Sequence, residues 1–213
     1  MSRFQRRHNF REPKKFFIIA TEGECTEEIY FNALRPSRDA AIQIRVLPTK
    51  KGKSDPKNVL KRLKSYVSDY GSGGRDELWL VIDFDSWTEA DLNEVSKAMA
   101  GLPKHHLALS NPCFELWLVL HLCNKTGGSG KQLQEILRQK LGSYDKNGYD
   151  VDRLLEEQGM AKAIERVKQI DTPPQAPWPH KSGTHVYRLV EKLIHESPPD
   201  QNGHASAARA PRR

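Results

Sequence analysis

LWLVIDFD (residues 78–85) is a short apolar run that ends in two aspartates, and FFIIATEGE (residues 16–24) is a second apolar run that ends in glutamates. Continuous apolar runs of this length are typical of strands buried on both faces of a parallel sheet. The carboxyl ends of such strands meet in one crevice. We therefore expect Glu22, Asp83 and Asp85 to share a site, where carboxylate oxygens suit a hard divalent cation. Phosphodiester chemistry is the leading functional hypothesis.

Apolar runs alternate with helical segments through the first half of the chain. The runs cover residues 16–21, 42–47, 78–82 and, more weakly, 106–109. Helices are expected at about 27–34 after Thr26 as cap, from Asp55-Pro56 to Gly71, and from Thr88 to about residue 100. This alternation predicts an α/β fold with a mostly parallel four-stranded sheet covered by helices on both faces.

Beyond Asn111 the pattern is helical, so additional C-terminal helices should pack beside the sheet. The helical segments are 114–122, 131–140, 152–169 and 183–195. We expect one domain over residues 15–195, preceded by a basic tail (1–14). The tail after it (196–213) has too few large apolar groups to offset the entropy of ordering.

The chain's formal net charge of +7 favours an acidic partner, and nucleic acid is the commonest such partner for a basic protein. No apolar run reaches the roughly 18 residues that a membrane span needs. We therefore expect a cytoplasmic protein without a membrane partner. The three cysteines lack CxxC spacing, which indicates neither a disulfide framework nor a structural zinc site.

Two purely structural interpretations of the acidic residues stay open. Asp83 and Asp85 would point to the same side of a strand and Phe84 to the opposite side, so both carboxylates can meet one ion. Alternatively, the aspartates cap the helix that starts near Thr88. Glu22 is alternatively a solvated turn residue, because acidic side chains are mostly exposed.

The spacing excludes two other phosphate chemistries. The run that ends in Asp83 is similar to a Walker B strand, but GGSGKQ (residues 127–132) lacks the glycine spacing and the Ser or Thr of a phosphate loop. A dehalogenase-type phosphatase places its aspartate pair on the first strand and a threonine at the fifth position. Here the pair follows the third predicted strand, and Trp87 stands at that position.

Several motifs, in this order, resemble the RloB family over roughly residues 15–194. They are EGE (22–24) with TE (26–27), DFD (83–85), SNPCFELW (110–117) and SGTHVY (182–187). The acidic turns are also similar to those of the Toprim fold of topoisomerases, primases and overcoming-lysogenization-defect nucleases. In that fold a glutamate acts near a metal ion bound by the Asp-x-Asp pair.

The resemblance implies a Toprim-like sheet in which Asp83 and Asp85 hold Mg²⁺ or Mn²⁺ and Glu22 acts as acid, base or second metal ligand. It also implies an association with restriction-modification loci, a role in phage abortive infection, and an AAA-type ATPase as partner. One departure favours a single tightly held ion. Many Toprim proteins have a third aspartate after the pair, whereas Ser86 and Trp87 follow here.

Residues just beyond the fourth predicted strand should lie at the same edge of the sheet. Ser110 and Asn111 either cap the following helix or orient a substrate. Glu115 falls in the first turn of that helix, where it either complements the helix dipole or joins the metal site. His121 is expected to be a packed, hydrogen-bonded residue, and Cys113 a poor nucleophile because no base is placed beside it.

Basic residues near the same edge are candidate phosphate contacts. Lys50, Lys51 and Lys53 follow the second predicted strand, where they either track a phosphate backbone or form a solvated face. Lys181 precedes Ser182-Gly183-Thr184, a predicted helix start whose backbone amides suit a phosphate.

Two functions from different classes follow. The first is a magnesium- or manganese-dependent endonuclease that cleaves DNA or RNA, with Glu22, Asp83 and Asp85 as catalytic residues and Glu115 as a further metal ligand. The second is a non-catalytic nucleic-acid-binding or regulatory subunit of an ATPase-containing defence complex. A nucleotidyl or phosphoryl transferase is a third possibility, which would consume nucleotide without cutting strands.

Overall fold

The computed structural model describes residues 13–36, 40–49, 55–84, 87–171 and 176–196. Within these residues the chain forms seven strands and eight helices. In order they are β1 (Lys15–Thr21), α1 (Thr26–Ala33), β2 (Ile42–Leu47), α2 (Pro56–Tyr70), β3 (Glu77–Asp83), α3 (Glu89–Met99), β4 (His105–Asn111), α4 (Glu115–Leu122), α5 (Gly130–Leu141), β5 (Tyr144–Asp145), β6 (Gly148–Tyr149), α6 (Val151–Leu154), α7 (Glu157–Ile170), β7 (Gly183–Thr184) and α8 (Val186–Glu196).

The main sheet has five strands in the order β2-β1-β3-β4-β7. Strands β1 to β4 are parallel, whereas β7 runs antiparallel to β4. The predicted α/β fold with a mostly parallel sheet is therefore confirmed, and the architecture is consistent with a Toprim-like fold. The predicted four strands are the four parallel ones, and β7 adds a fifth.

Each central strand is buried on both faces because helices cover both sides of the sheet. Phe17 and Ile19 of β1 belong to a first core, which α1, α4, α5, α7 and α8 complete. Ile18 and Ala20 belong to a second core, which α2 and α3 complete. Successive side chains of a strand point to opposite faces. A continuous apolar run is therefore the pattern that such a strand needs.

Two of the predicted helix starts are confirmed. The Asp55 side chain accepts a hydrogen bond from the backbone N–H of Asn58 (3.0 Å), with Pro56 in the first turn of α2. Thr88 and Asp91 form a reciprocal capping box at the start of α3. The expected cap of α1 is wrong, because Thr26 is already helical and its hydroxyl donates to the carbonyl of Lys146 (3.2 Å) instead.

The helix predicted over residues 152–169 is two helices. The chain breaks after Leu154, whose carbonyl accepts a hydrogen bond from Nδ1 of buried His121 (2.7 Å). Gly159 then passes so close that a Cβ atom there would lie 2.8 Å from the same carbonyl. The break lets α7 pack against α4, where Ala163 and Val167 join the first core.

The helix predicted over residues 183–195 begins later. Gly183 and Thr184 form β7, which pairs with Asn111 and Ser110 along the open edge of β4. The next residue, His185, donates its backbone N–H to the carbonyl of Leu109 (2.9 Å). Helix α8 therefore starts only at Val186, once the chain has left the sheet.

Within the described residues, no helix is long and apolar enough to cross a membrane. Residues 1–12 and 197–213, which hold most of the two predicted tails, lie outside the described part of the chain.

Candidate functional site

The sheet order creates a crevice at the carboxyl ends of β1 and β3. These two strands are neighbours, while β2 and β4 lie on their outer sides, so the connections leave β1 and β3 in opposite directions. Open α/β sheets bind their ligands at such a switch point. Glu22 directly follows β1, and Asp83 is the last residue of β3.

Glu22 makes two hydrogen bonds to the end of β3 and one to Trp87 beyond it. Its backbone N–H donates to the carbonyl of Val81 (2.9 Å). Its carboxylate accepts the backbone N–H of Asp83 at Oε2 (3.0 Å) and the indole N–H of Trp87 at Oε1 (3.0 Å). Glu22 is therefore a half-buried, hydrogen-bonded residue of the turn after β1, and it lies beside Asp83.

Asp83 does not cap α3, because Thr88 is the capping residue. Its preceding neighbours Trp79 and Val81 lie in the first core, and Asp83 continues on that side of the sheet. Phe84 packs against the second core, as the strand periodicity predicts. Asp85 lies outside the described residues.

Asp83 opens into a cleft of about 540 Å³ on the first-core side of the sheet. The cleft lies between the turn after β1, the starts of α1, α4 and α5, and the β5–β6 hairpin. Its walls carry five carboxylate side chains: Glu22, Glu24, Glu27, Asp83 and Glu115. In the described part of the chain, Lys146 is the basic residue that lines it. Acidic groups thus outnumber basic ones in this cleft.

Glu115 lies in the first turn of α4, and only 2% of its surface is exposed. Its Oε1 accepts hydrogen bonds from Nε2 of Gln134 (3.0 Å) and the hydroxyl of Tyr144 (3.4 Å). The ammonium of Lys146 lies 3.3 Å from the same oxygen. The structure therefore brings Glu115 into the same cleft as Glu22 and Asp83, with its charge balanced by Lys146.

Glu27 is a buried carboxyl group in the cleft that the sequence analysis did not single out as a site residue. Burial raises its pKa above the ordinary value, and the nearby charge of Glu115 raises it further. The backbone N–H of Gly23 donates to its Oε1 (3.1 Å). A Cβ atom at position 23 would lie 1.9 Å from Oε2 of Glu27, so only glycine lets the turn approach this carboxyl group.

Lys146 is the second residue that the sequence analysis missed. It occupies the two-residue turn of the β5–β6 hairpin, whose sequence YDKNGY has the Asx and Gly residues typical of tight turns. The hairpin is tied to α1, because the Tyr149 hydroxyl donates to the carbonyl of Thr26 (2.8 Å). Burial alone would lower the pKa of Lys146, but the charges of Glu115, Asp83 and Glu27 raise it.

Ser110 and Asn111 lie at the same edge of the sheet but hold the chain rather than cap a helix. The Ser110 and Thr184 hydroxyl oxygens are 2.8 Å apart, and the Asn111 side-chain amide donates to the carbonyl of Pro179 (3.0 Å). Helix α4 starts after Phe114 without a side-chain cap, so the predicted cap is wrong.

Lys181 is exposed and precedes a strand, so the predicted phosphate site at a helix start is also wrong. Lys50, Lys51 and Lys53 lie outside the described residues. The structure leaves their assignment as substrate contacts a prediction.

His121 is the packed, hydrogen-bonded residue that the sequence predicts. Its Nδ1–H donates to the carbonyl of Leu154 (2.7 Å), and its Nε2 accepts from the hydroxyl of Tyr30 (3.2 Å). Burial lowers the pKa of His121 to about 4, so the imidazole is neutral at pH 7.

The cleft has the donor chemistry of a site for a hard cation. Its carboxylate oxygens are the ligands that Mg²⁺ and Mn²⁺ prefer, and the excess of negative charge would be relieved by a cation. Among the described residues, no three His, Cys, Asp or Glu side chains are grouped so that they could hold a metal ion. Glu22 accepts the backbone N–H of Asp83, and the second aspartate of the motif, Asp85, lies outside the described residues.

The model of the RloB-like protein family matches residues 17–193, which is most of the chain. The chain therefore belongs to the RloB-like family. Neither a curated protein nor a solved structure shows a significant match to it.

Proposed function

We propose that this RloB-like protein is a divalent-metal-dependent nuclease that cleaves phosphodiester bonds of DNA or RNA. In this proposal it is a cytoplasmic effector of phage defence by abortive infection and acts with an AAA-type ATPase partner. One observation supports the nuclease assignment most directly. The Glu22 carboxylate accepts the backbone N–H of Asp83 at the switch point of the sheet, and both residues line a carboxylate-rich cleft.

Asp83 and Glu22, with Asp85 and Glu115, are the residues proposed to hold Mg²⁺ or Mn²⁺. A bound ion of this kind lowers the pKa of a water molecule and neutralises charge on a phosphate group. Carboxylate oxygens are the hard ligands that such an ion prefers.

The chain's own groups supply positioning and proton transfer. The two N–H donors hold Glu22 in a fixed orientation, which suits a general base that accepts a proton from water. Lys146 brings a positive charge to a cleft that must receive a phosphate. Glu27, with its raised pKa, retains a proton more readily than an exposed glutamate and is suited to donate it to the leaving oxygen.

Metal-dependent strand cleavage tests this proposal directly. Labelled single-stranded and duplex DNA and RNA are incubated with the purified chain and Mg²⁺, Mn²⁺ or chelator. Wild type is compared with Asp83→Ala and Asp85→Ala, and with Asp152→Ala as a matched control on an exposed face of α6. Thermal unfolding of each variant shows whether the fold is retained.

Cleavage that requires the metal and disappears in the Asp83 and Asp85 variants, but not in the control, supports a metal-dependent nuclease. Full activity of Asp83→Ala would overturn the proposal. Absence of cleavage by wild type under every condition would favour the alternative, a nucleic-acid-binding or regulatory subunit of an ATPase-containing complex.

A further inference from the structure

A second groove, of about 340 Å³, runs along α2 beside the carboxyl end of β2. We call it the α2 groove, and the residues that matter for its chemistry are Pro48, Lys61, Arg62, Tyr66 and Tyr70. We propose that the α2 groove binds an unpaired nucleic-acid strand by base stacking and phosphate contacts and leads it to the cleft at Glu22 and Asp83. The destination of the strand rests on the proposed nuclease function, whereas the binding itself does not.

Two tyrosines one helical turn apart form the aromatic part of the α2 groove. The rings of Tyr66 and Tyr70 have centroids 5.0 Å apart and planes inclined by 35°. Tyr66 is partly buried against the second core, which fixes its position. Tyr70 is 77% exposed, although an aromatic ring of this size is usually covered. A ring held by one neighbour and open on its other side is a platform on which a base can stack.

Basic side chains surround this platform. Lys61 lines the groove and is exposed, and the guanidinium carbon of Arg45 lies 5.9 Å from the centre of the Tyr66 ring. Asp69 is the acidic residue that lines the groove. With Arg62 included, basic residues outnumber acidic ones, which is the reverse of the cleft. Positive charge interleaved with exposed aromatic rings is the combination that binds single strands without sequence preference.

Arg62 joins the α2 groove to the cleft. Its Nη2 donates to the carbonyl of Thr21, the last residue of β1 and the neighbour of Glu22. Nε and Nη1 of Arg62 are buried and have no hydrogen-bond partner among the described residues, and the nearby charge of Asp55 acts on the guanidinium. The positive charge of Arg62 therefore acts on a phosphodiester at the end of β1 through its electrostatic field rather than through a direct hydrogen bond.

The carboxyl ends of β2 and β1 connect the two sites. Strand β2 pairs directly with β1, and neighbouring strands are about 4.8 Å apart. Thr49, just after β2, donates its hydroxyl to the carbonyls of Thr21 and Gly23 (both 3.0 Å), which fastens the groove wall to the turn that carries Glu22. The α2 groove lies on the second-core side of the sheet and the cleft on the first-core side, so a strand in the groove reaches the cleft by passing the carboxyl ends of β2 and β1.

The occupant is an unpaired strand rather than a duplex because the Tyr70 ring requires an open base face. In a duplex each base is covered on both faces by its neighbours, and an exposed tyrosine on a helix surface has nothing to stack on. RNA and DNA single strands share this chemistry, and the binding experiment distinguishes them.

Binding is measured by fluorescence anisotropy with labelled single-stranded DNA, single-stranded RNA and the matching duplexes, all in chelator so that no cleavage occurs. The variants are Tyr70→Ala, Tyr70→Phe and Lys61→Ala in the full chain. Ile194→Ala is the control for loss of an exposed apolar side chain, and Lys168→Ala the control for loss of an exposed lysine. Both controls lie on helices of the opposite face of the sheet.

We expect wild type to bind a single strand more tightly than the duplex and Tyr70→Ala to weaken this binding by about tenfold. Tyr70→Phe should retain it, because a phenyl ring also stacks. Lys61→Ala should reduce the salt dependence by about one phosphate contact. Equal single-strand binding by Tyr70→Ala and wild type would overturn the proposal, as would a preference for duplex or no binding at all.

The same samples separate this proposal from the proposed nuclease. If Tyr70→Ala binds weakly while wild type, once metal is added, does not cleave any bound strand, the groove assignment stands and the nuclease fails. If wild type cleaves the strand once metal is added but Tyr70→Ala binds as tightly as wild type, the nuclease proposal stands and the groove assignment fails.

Discussion

The two ends of the main sheet both carry buried acidic residues, but their charge balance is opposite. At the amino end, Glu77 begins β3 and accepts hydrogen bonds from the ammonium groups of Lys15 (2.8 Å) and Lys192 (3.0 Å). At the carboxyl end, Lys146 faces several carboxylates of the cleft, including Glu27 and Glu115. Acidic groups that stabilise the fold are matched by cations of the same chain. In the described part of the chain, the carboxylates that line the cleft outnumber its cations, which is why we propose a ligand there.

The amino-end network consists of Lys15, Glu77, Lys192 and Glu196, and it fastens the last helix to the first strand. Lys15 bridges Glu77 and Glu196 (2.6 Å), while the indole N–H of Trp79 donates to Glu77 as well (3.1 Å). Burial alone would raise the pKa of Glu77, but the hydrogen bonds and charges of the two lysines lower it below its ordinary value. The two positive and two negative charges of this network balance each other, so the network requires no ligand.

The largest effect that separates the two ends is expected for Asp83→Asn. The change keeps the shape of the side chain but removes a charge that the proposed metal site needs. Cleavage at saturating metal should fall by about a thousandfold, or about 4 kcal/mol in the activation barrier, by comparison with other charge-stabilising groups. The free energy of unfolding should stay equal or rise, since like charges in the cleft repel. A loss of stability with activity retained would reverse our assignment of this end.

The second test is Glu77→Gln at the amino end, where the expected pattern is the opposite. Removing the negative charge from this buried ion-pair network leaves Lys15 and Lys192 without the carboxylate that they share and should cost about 3 kcal/mol in the free energy of unfolding. Cleavage activity measured well below the melting temperature should not change. Urea unfolding gives the first quantity. Glu191→Gln, which breaks an exposed pair with Lys168, is the control and should cost less than about 1 kcal/mol.

Acid exposes the next difference, through His106 at the amino end. His106 stacks on Trp79 with ring centroids 4.4 Å apart, and burial lowers its pKa from 6.5 to about 4. Between these values the unfolded chain binds the proton more tightly, so stability is complete above pH 6.5 and is lost as the pH falls toward 4. Between pH 7 and 5 wild type should lose about 1–2 kcal/mol more than His106→Gln, as followed by urea unfolding at each pH. Equal pH slopes for the two proteins would contradict a neutral, half-buried His106.

Much of the sheet could be predicted because its information is local. The buried strands are continuous apolar runs, and the starts of α2 and α3 carry their own capping residues, Asp55 and Thr88. The neighbourhood of Glu22 and Asp83 was predicted from their positions at the carboxyl ends of two parallel strands. Each of these features depends on a few adjacent residues and a general rule of parallel sheets.

The features that escaped prediction depend on distant parts of the chain. Strand β7 has only two residues, and it forms because β4 leaves an edge open beside it. Lys146 reaches the cleft because its hairpin docks on α1, which no periodicity reports. Glu77 opens a strand like many surface glutamates, and its two lysines come from opposite ends of the domain.

The smallest effect is expected for Glu27→Gln, and it tests the excess of negative charge in the cleft. Burial and Glu115 raise the pKa of Glu27, so between the unfolded value of 4.5 and the raised value the folded chain binds the proton more tightly. The charged form therefore destabilises the fold at neutral pH, and stability is recovered as the pH falls. Glu27→Gln should be slightly more stable than wild type at pH 7, and the difference should vanish on acidification, opposite in sign to the His106 effect.

Urea unfolding at several pH values measures this difference, with exposed Glu24→Gln removing the same charge from the cleft rim as a control. If Glu27→Gln were less stable than wild type at pH 7, the charge of Glu27 would be neutralised by groups of the chain, as that of Glu77 is. The excess of negative charge would then no longer support a bound cation in the cleft.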